Sequence, residues 1–336
     1  MASENRHAGR RGSIFVITLW TLLLLSSLAL SLGVVVRQKV SLIARLSDRD
    51  NLYFITQAGI NRAIAELRFE DLTPTYDSLS EGWANNPAIF KEVPMGIGSY
   101  TVGVAGAEGS MRYGLVDEES KININKADVD ILVRLLQHAG RPSEEAEELA
   151  YHIKDWADAD SFFQHPRYGA EDSDYKNLDD PYEAKDADFE IIDELLLVKD
   201  MDETTFERIK GLVTVYGQGG VNINTATAEV LQIIGLDERL IELVLSFRKG
   251  EDLTEGTVDD KVFAQPTGIA AELSQYYPLA PSEVAQISNL ASQGQLVTRA
   301  DYFMIRSVGQ LSSGGDLEIQ AVVDRQGQVQ YWRERY

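Results

Sequence analysis

Residues 13–36, SIFVITLWTLLLLSSLALSLGVVV, contain no charged side chain. As a helix they rise about 36 Å, enough to cross the ~30 Å hydrocarbon core of a bilayer. Beyond this run Leu42, Leu46, Tyr53, Ile60, Ile64 and Leu67 recur at spacings of four, seven, seven, four and three, which is one helical face, with Arg45, Asp48, Arg49, Asn61 and Arg62 elsewhere on the surface. The spacing predicts one helix running from the membrane to about residue 68, or two helices broken near 47–51. Residues 69–95 are rich in turn formers: Pro74, Gly82, Asn85, Asn86, Pro87 and Pro94. Two strand candidates follow at 99–105 and 110–116, separated by Gly106 and Gly109. The C-terminus reads the same way at 301–308, 316–324 and 328–333, with turns at Gly314-Gly315 and Gln326-Gly327. Leu317, Ile319, Ala321 and Val323 alternate onto one face.

Between these β-rich ends, residues 122–298 read as helices and loops, so the pattern predicts a sheet with a helical domain inserted into it. The inserted block repeats itself. Ile122-Asn123-Ile124-Asn125-Lys126-Ala127 matches Val221-Asn222-Ile223-Asn224-Thr225-Ala226, 99 residues later. The first copy leads into Val129, Leu132, Val133 and Leu136, with Asn125 and Asp128 placed as a capping pair. The second leads into Val230, Leu231 and Ile234, with Asn224 or Thr225 as cap. A second apolar-periodic helix follows each copy, through Ala146, Leu149, Ala150, Ile153 and Ala157, and through Leu240, Leu243, Val244 and Phe247. This cap–helix–turn–helix unit resembles the helix-hairpin-helix or SAM-like module, which often holds DNA backbone. Here Asp237-Glu238 puts acids where phosphate would approach, and Pro142 removes a donor amide in the first hairpin. Both departures argue for a packing unit.

The charge balance changes the picture further. The formal charge of −22 is the reverse of what a nucleic-acid partner requires. No cysteine is present, which removes disulfides, thiolate chemistry and Cys-based metal sites together. Before the apolar run stand Arg6, Arg10 and Arg11 against one acid, Glu4, so the short N-terminus is expected to stay cytoplasmic and the remainder to face outward. The run is longer than the 7–15 apolar residues of a cleavable signal and lacks a clear small-residue site. A plain signal anchor fits. So does a type IV prepilin leader, because Arg10-Arg11-Gly12-Ser13-Ile14-Phe15 is a basic segment ending in Gly directly before the apolar helix.

No P-loop, nucleophile elbow, H-E-x-x-H or dinucleotide fingerprint is present. His7, His138, His152 and His165 form no metal-ligand spacing, and His138 and His152 read as helix-surface residues. The concentrated feature is acidic: 144–203 holds 21 acids against 5 bases. Its centre is Asp155-Trp156-Ala157-Asp158-Ala159-Asp160, followed by Gly169-Ala170-Glu171-Asp172-Ser173-Asp174. Asp155 and Asp158 share a helix face, Asp160 falls at its end, and Gly169 permits a loop that returns Glu171 and Asp172 toward them. Crowded carboxylates repel unless a hard cation neutralises them, and Ca²⁺ suits oxygen-only ligands. The alternative is a solvated acidic face. A paired-carboxylate glycosidase is disfavoured, because no aromatic sugar cleft is legible.

In their order within one chain, the leader, the D-W-A-D-A-D and G-A-E-D motifs, the 194–201 stretch and V-N-I-N-T-A resemble the K-type minor pseudopilin family of the type II secretion system (general secretion pathway protein K). The resemblance implies an α+β fold, in which an N-terminal transmembrane/pseudopilin helix packs on a small antiparallel sheet carrying a large inserted α-helical domain. The divisions expected are a leader at 1–12, a helix at 13–68, a sheet domain at 69–121 and 299–336, and the insertion at 122–298. The family resemblance implies a non-enzymatic subunit at the pseudopilus tip, acting in filament assembly and protein export, with I- and J-type pseudopilins as partners. It also implies cutting by prepilin peptidase between Gly12 and Ser13, N-methylation, a single pass of the bacterial inner membrane with the C-terminal domains in the periplasm, and calcium. Asp155, Asp158, Asp160, Glu171 and Asp172 are the expected metal residues. If Ser13 is the first mature residue, the fifth is Ile17, where major pilins carry Glu; the K-type subunit typically lacks that Glu. A membrane-anchored type IV pilus or DNA-uptake component with a helix-hairpin-helix domain is the alternative.

Overall fold

The computed structural model describes residues 11–70, 75–105, 111–178 and 180–336; the first ten residues of the expected leader, Pro74, and Gly106 and Gly109 between the strand candidates lie outside the described residues. Helix α1 (Arg11–Glu70) runs unbroken through 60 residues, about 90 Å in length. The two-helix alternative does not occur. Between Ile14 and Leu46 its large apolar side chains are all exposed, whereas from Leu52 onward one face is buried by Leu52, Ile55, Thr56, Ile60, Ala63 and Leu67. Of the stripe read from the sequence, Ile60 and Leu67 enter the core and Tyr53 and Ile64 line its margin. Leu42 and Leu46 stay exposed.

After α1 come α2 (Pro87–Phe90), β1 (Val93–Met95), β2 (Gly98–Val102), β3 (Val104–Ala105), β4 (Met111–Arg112) and β5 (Val116–Asp117). The helical region follows: β6 (Ile122–Asn123), α3 (Val129–His138), α4 (Ser143–Ala157), α5 (Asp172–Tyr175), α6 (Glu203–Ile209), β7 (Val213–Thr214), β8 (Val221–Asn222), α7 (Ala228–Ile233), α8 (Glu238–Arg248), α9 (Ile269–Tyr276), α10 (Pro281–Ser292) and β9 (Leu296–Val297). The chain then closes with β10 (Tyr302–Leu311), β11 (Asp316–Asp324) and β12 (Val329–Arg335). The main sheet has the order β1-β2-β10-β11-β12, all antiparallel, and β5 pairs with β10 at Phe303 and Met304, beyond the stretch taken by β2. The chain therefore leaves this sheet at β5 and rejoins it at β10, with the helical region between. The α+β class read from the sequence is the one observed.

Helix and sheet approach closely because each side of the contact carries a glycine, Gly59 on the helix and Gly309 on the sheet. A Cβ on Gly59 would lie 2.3 Å from Ser307 Oγ, and one on Gly309 would lie 2.2 Å from Thr56 Oγ1. Ser307 Oγ uses the contact to donate to Thr56 O at 2.8 Å.

The sequence repeat is a structural repeat. In the first copy Asn125 Nδ2 donates to Phe189 O at 3.0 Å and its Oδ1 accepts from Phe189 N at 2.8 Å. In the second Asn224 does the same to Phe263, at 3.0 and 2.8 Å. Each copy is closed by a short parallel bridge, β6 with β7 and β8 with β9. Each also places a cation from its second helix on the carbonyl of the motif alanine, Lys154 Nζ on Ala127 O at 3.1 Å and Arg248 Nη1 on Ala226 O at 2.6 Å. The helix caps differ from the expected ones. Asp128 alone caps α3, accepting from Ile131 N at 2.8 Å, and Thr227 caps α7, accepting from Val230 N at 3.4 Å. The motif asparagines are not caps because both ends of their amides are already bonded to a distant backbone.

Two apolar cores result, one in the helical region and one between α1 and the sheet. A buried polar seam joins them. Asp77 pairs with Arg325 and accepts from Ala300 N at 2.7 Å. Asp117 Oδ2 accepts from Asn222 Nδ2 at 2.8 Å and from Thr225 Oγ1 at 2.5 Å. Glu119 Oε2 accepts from Tyr302 N at 3.2 Å. Burial pushes the carboxyls of Asp117 and Glu119 up, and the charge of Asp117 raises Glu119 further.

Two outcomes follow from this architecture. Asn224→Ala strips partners from a buried N–H and a buried C=O, so it is expected to lower unfolding free energy by roughly 2–4 kcal/mol in denaturant titration. Asn125→Ala, at a half-buried position, should cost less. For the seam, a raised folded-state carboxyl stabilises most below its unfolded value and loses that stabilisation as pH rises through its folded value. Stability should therefore fall as pH climbs from the ordinary carboxylate range through neutrality, and Glu119→Gln should flatten that decline in melting curves recorded across pH.

Candidate metal centre

Helix α4 is amphipathic, and packing of Ala146, Leu149, Ala150, Ile153 and Trp156 fixes its rotation. That rotation carries Asp155 inward until none of it is exposed. Its two oxygens are used by the following loop: Oδ1 accepts from Gln164 N at 3.0 Å and Oδ2 from Ala170 N at 2.9 Å. Burial raises its carboxyl, and those two amides oppose the rise. Asp155 is thus the post on which the loop is hung, and the loop returns Glu171 to the end of α4.

There Asp158, Asp160 and Glu171 each offer a carboxylate oxygen, and the three lie within 4.8 Å of one another. Asp158 ends the helix and accepts from Gln164 Nε2 at 2.6 Å. Asp160 Oδ1 accepts from Phe162 N at 2.9 Å. Glu171 is 3% exposed, yet neither of its carboxylate oxygens has a hydrogen-bond donor. Burial, with the negative charges of Asp155, Asp158, Asp186 and Asp160, pushes its carboxyl up to about 7. A buried carboxylate with no donor, facing two others, is a costly arrangement without a counter-charge. The three supply hard oxygen ligands only, and they fit a divalent cation of the calcium class.

Asp172, the fifth residue expected, is turned away from this group. Its Oδ2 pairs with Lys176 Nζ at 2.7 Å and its Oδ1 accepts from Ala184 N at 3.0 Å, so it latches the loop, and Lys176 lowers its carboxyl. Sequence reasoning missed Asp186. Its backbone is left-handed (φ 51°), its N–H donates to Trp156 O at 3.2 Å, and its charge acts on Glu171. The one signal for it was a second D-A-D, Asp186-Ala187-Asp188, echoing Asp158-Ala159-Asp160.

Glu148, His152 and Asp200 also converge. His152 is fully buried, not on the surface as its position in the sequence suggested, because it lies on the packed side of α4. Its Nδ1 sits 3.1 Å from Lys199 O, which can only accept, so that nitrogen carries the proton and the ring's lone pair lies on the buried Nε2. Burial holds the ring neutral by pushing its pKa down. The corresponding loop of the second copy is saturated from within. Asp259 accepts from Glu251 N and Asp252 N at 2.6 and 3.0 Å, and Thr257 Oγ1 donates to it at 2.8 Å. The hydroxyl first, then the amides, holds its carboxyl down at about 2. Buried Arg248 meets Glu255 at 2.8 Å in the same loop.

Residues 113–218, which include every member of the acidic group, match the family model for protein K of the type II secretion system (T2SS). No curated protein matches the chain. Among solved structures, a chain of the GspK-GspI-GspJ complex from the enterotoxigenic Escherichia coli type 2 secretion system is similar at a TM-score of 0.66 and 18% identity, covering 87% of this chain and 98% of that one. At that identity the likeness speaks for the fold. The family match thus lies across the acidic loop, and the fold shared with a chain of that complex extends over most of this chain.

Proposed function

We propose that the chain is a minor pseudopilin at the tip of a type II secretion pseudopilus, working by assembly and not by catalysis. The observation that carries this reading is the division of α1: an exposed apolar half from Ile14 to Leu46 and a half buried against a sheet from Leu52. The first half is long and apolar enough to cross a membrane and needs either lipid or neighbouring helices around it. The reading puts it in the bacterial inner membrane, with sheet and helical region in the periplasm. Prepilin peptidase cuts between Gly12 and Ser13, and Ser13 is then N-methylated. Ile17 leaves the mature fifth position without the carboxylate that a repeating subunit uses. In this reading the bulky region between β5 and β10 blocks the stacking of a further subunit, which suits a terminal position. I- and J-type pseudopilins are the partners in this reading, in keeping with the complex in which the similar structure was solved. Calcium at Asp158, Asp160 and Glu171 orders the loop that Asp155 and Asp172 hold in place.

Two measurements test it. A tagged full chain drawn from native membranes should bring I- and J-type pseudopilins with it, and its mass should place the N-terminus at a methylated Ser13. Recovery alone, or an N-terminus at Met1, overturns the assignment. For the metal, melting in excess calcium against chelator should show a rise of several degrees, since a ligand at a hundredfold excess over Kd adds about 2.7 kcal/mol. Glu171→Gln should remove most of that rise while leaving the chelated protein at least as stable as wild type. A wild type indifferent to calcium, with none found by elemental analysis, returns the group to an acidic surface.

A further inference from the structure

The stretch of α1 just past the uncharged run is the inverse of the rest of the protein in charge. Between 37 and 49 stand Arg37, Lys39, Arg45 and Arg49 against one acid, Asp48, in a chain with 31 basic and 53 acidic residues. All of them are exposed. Arg37, Ser41, Arg45 and Arg49 are spaced by four, so they form one file along the helix. Val40, Ile43 and Leu46 lie around the opposite side, exposed by 61, 64 and 52%. The file is not uniform. Arg49 stands against the ring of Tyr336, 4.6 Å from its centroid, and so belongs to the folded domain. Arg37 and Arg45, with Gln38, Ser41 and Leu42 between them, line one shallow groove, and among the described residues no others line it.

We infer that the Arg37–Ser41–Arg45 file is a binding site for the phosphate of an anionic phospholipid headgroup. The inference rests on the reading of residues 13–36 as a bilayer span. Depth selects the occupant. Val36 closes a run that already exceeds the hydrocarbon core, so Arg37 and Ser41 fall in the headgroup layer. Arg45 lies about 12 Å higher along the axis and reaches down with its own side chain. Two guanidinium forks flanking a hydroxyl suit phosphate oxygens, which accept from all three. The ligand is an anionic lipid because its phosphate charge is uncompensated, whereas a zwitterionic headgroup presents its own ammonium to the two arginines.

The test uses the full chain purified from membranes in detergent, titrated with phosphatidylglycerol and with phosphatidylethanolamine, with bound lipid counted by native mass spectrometry. Wild type should retain phosphatidylglycerol in clear preference. Arg37→Gln and Arg45→Gln should each cost about fivefold in that preference. Arg49→Gln, whose partner is Tyr336, should leave it unchanged. Equal retention of both lipids by wild type, or a preference that survives the Arg37/Arg45 double variant, overturns the inference. A double variant that keeps its lipid but loses a pseudopilin partner assigns the file to a protein interface instead. Extraction of the chain by alkaline carbonate reports separately on the span: release from the membrane sinks the anchor reading, and retention without lipid preference sinks only this one.

Discussion

The arrangement of the molecule depends on a polar joint between two apolar cores. An apolar contact tolerates sliding, because any grease meets any other at similar cost. The seam of Asp77, Arg325, Asp117, Asn222 and Thr225 does not, since its donors and acceptors are matched to one another and a shift leaves a buried charge alone. Breaking a buried pair in that way costs about 3–5 kcal/mol, even where the intact pair adds little net stability. The first asparagine of the second repeat copy is thereby explained. Asn222 lies in β8 of the helical region, yet its amide reaches both Asp117 of β5 and the backbone of Asp77.

Much of this was legible from residue order alone. The period-two alternation of Leu317, Ile319, Ala321 and Val323 names the buried face of β11, and all four are fully buried. The repeat was visible as letters 99 apart. What it does was not, because a hydrogen bond from Asn224 to the backbone of Phe263 leaves no periodic trace in the chain. The parallel bridges of two residues each were equally silent, being too short to carry a pattern. His152 was misread as exposed because a histidine among charged neighbours looks polar, and only the packing of α4 against Lys199 shows otherwise.

At the acidic loop the sequence located the carboxylates but not their division of labour. Five residues were grouped by spacing, and the fold sorts them by what their oxygens already hold. Asp155 and Asp172 are spent on backbone amides and Lys176, while Glu171 is left without a donor. That difference arises from which amides the loop brings past each side chain. The duplicated architecture sharpens the contrast. The second copy meets its acids with its own hydroxyl, amides and Arg248, so the two halves of one repeat have settled the same electrostatic problem by different means.

The continuity of α1 has a mechanical side. Its ladder of i to i−4 hydrogen bonds passes from the apolar half into the sheet-bound half with neither proline nor bulge to interrupt it. Such a rod is stiff along its axis, and Gly59 and Gly309 key its upper half into the sheet at backbone distance. A push or pull applied at the lower end has no hinge in which to dissipate. It arrives at the sheet as displacement of the whole domain, as thrust reaches the head of a piston.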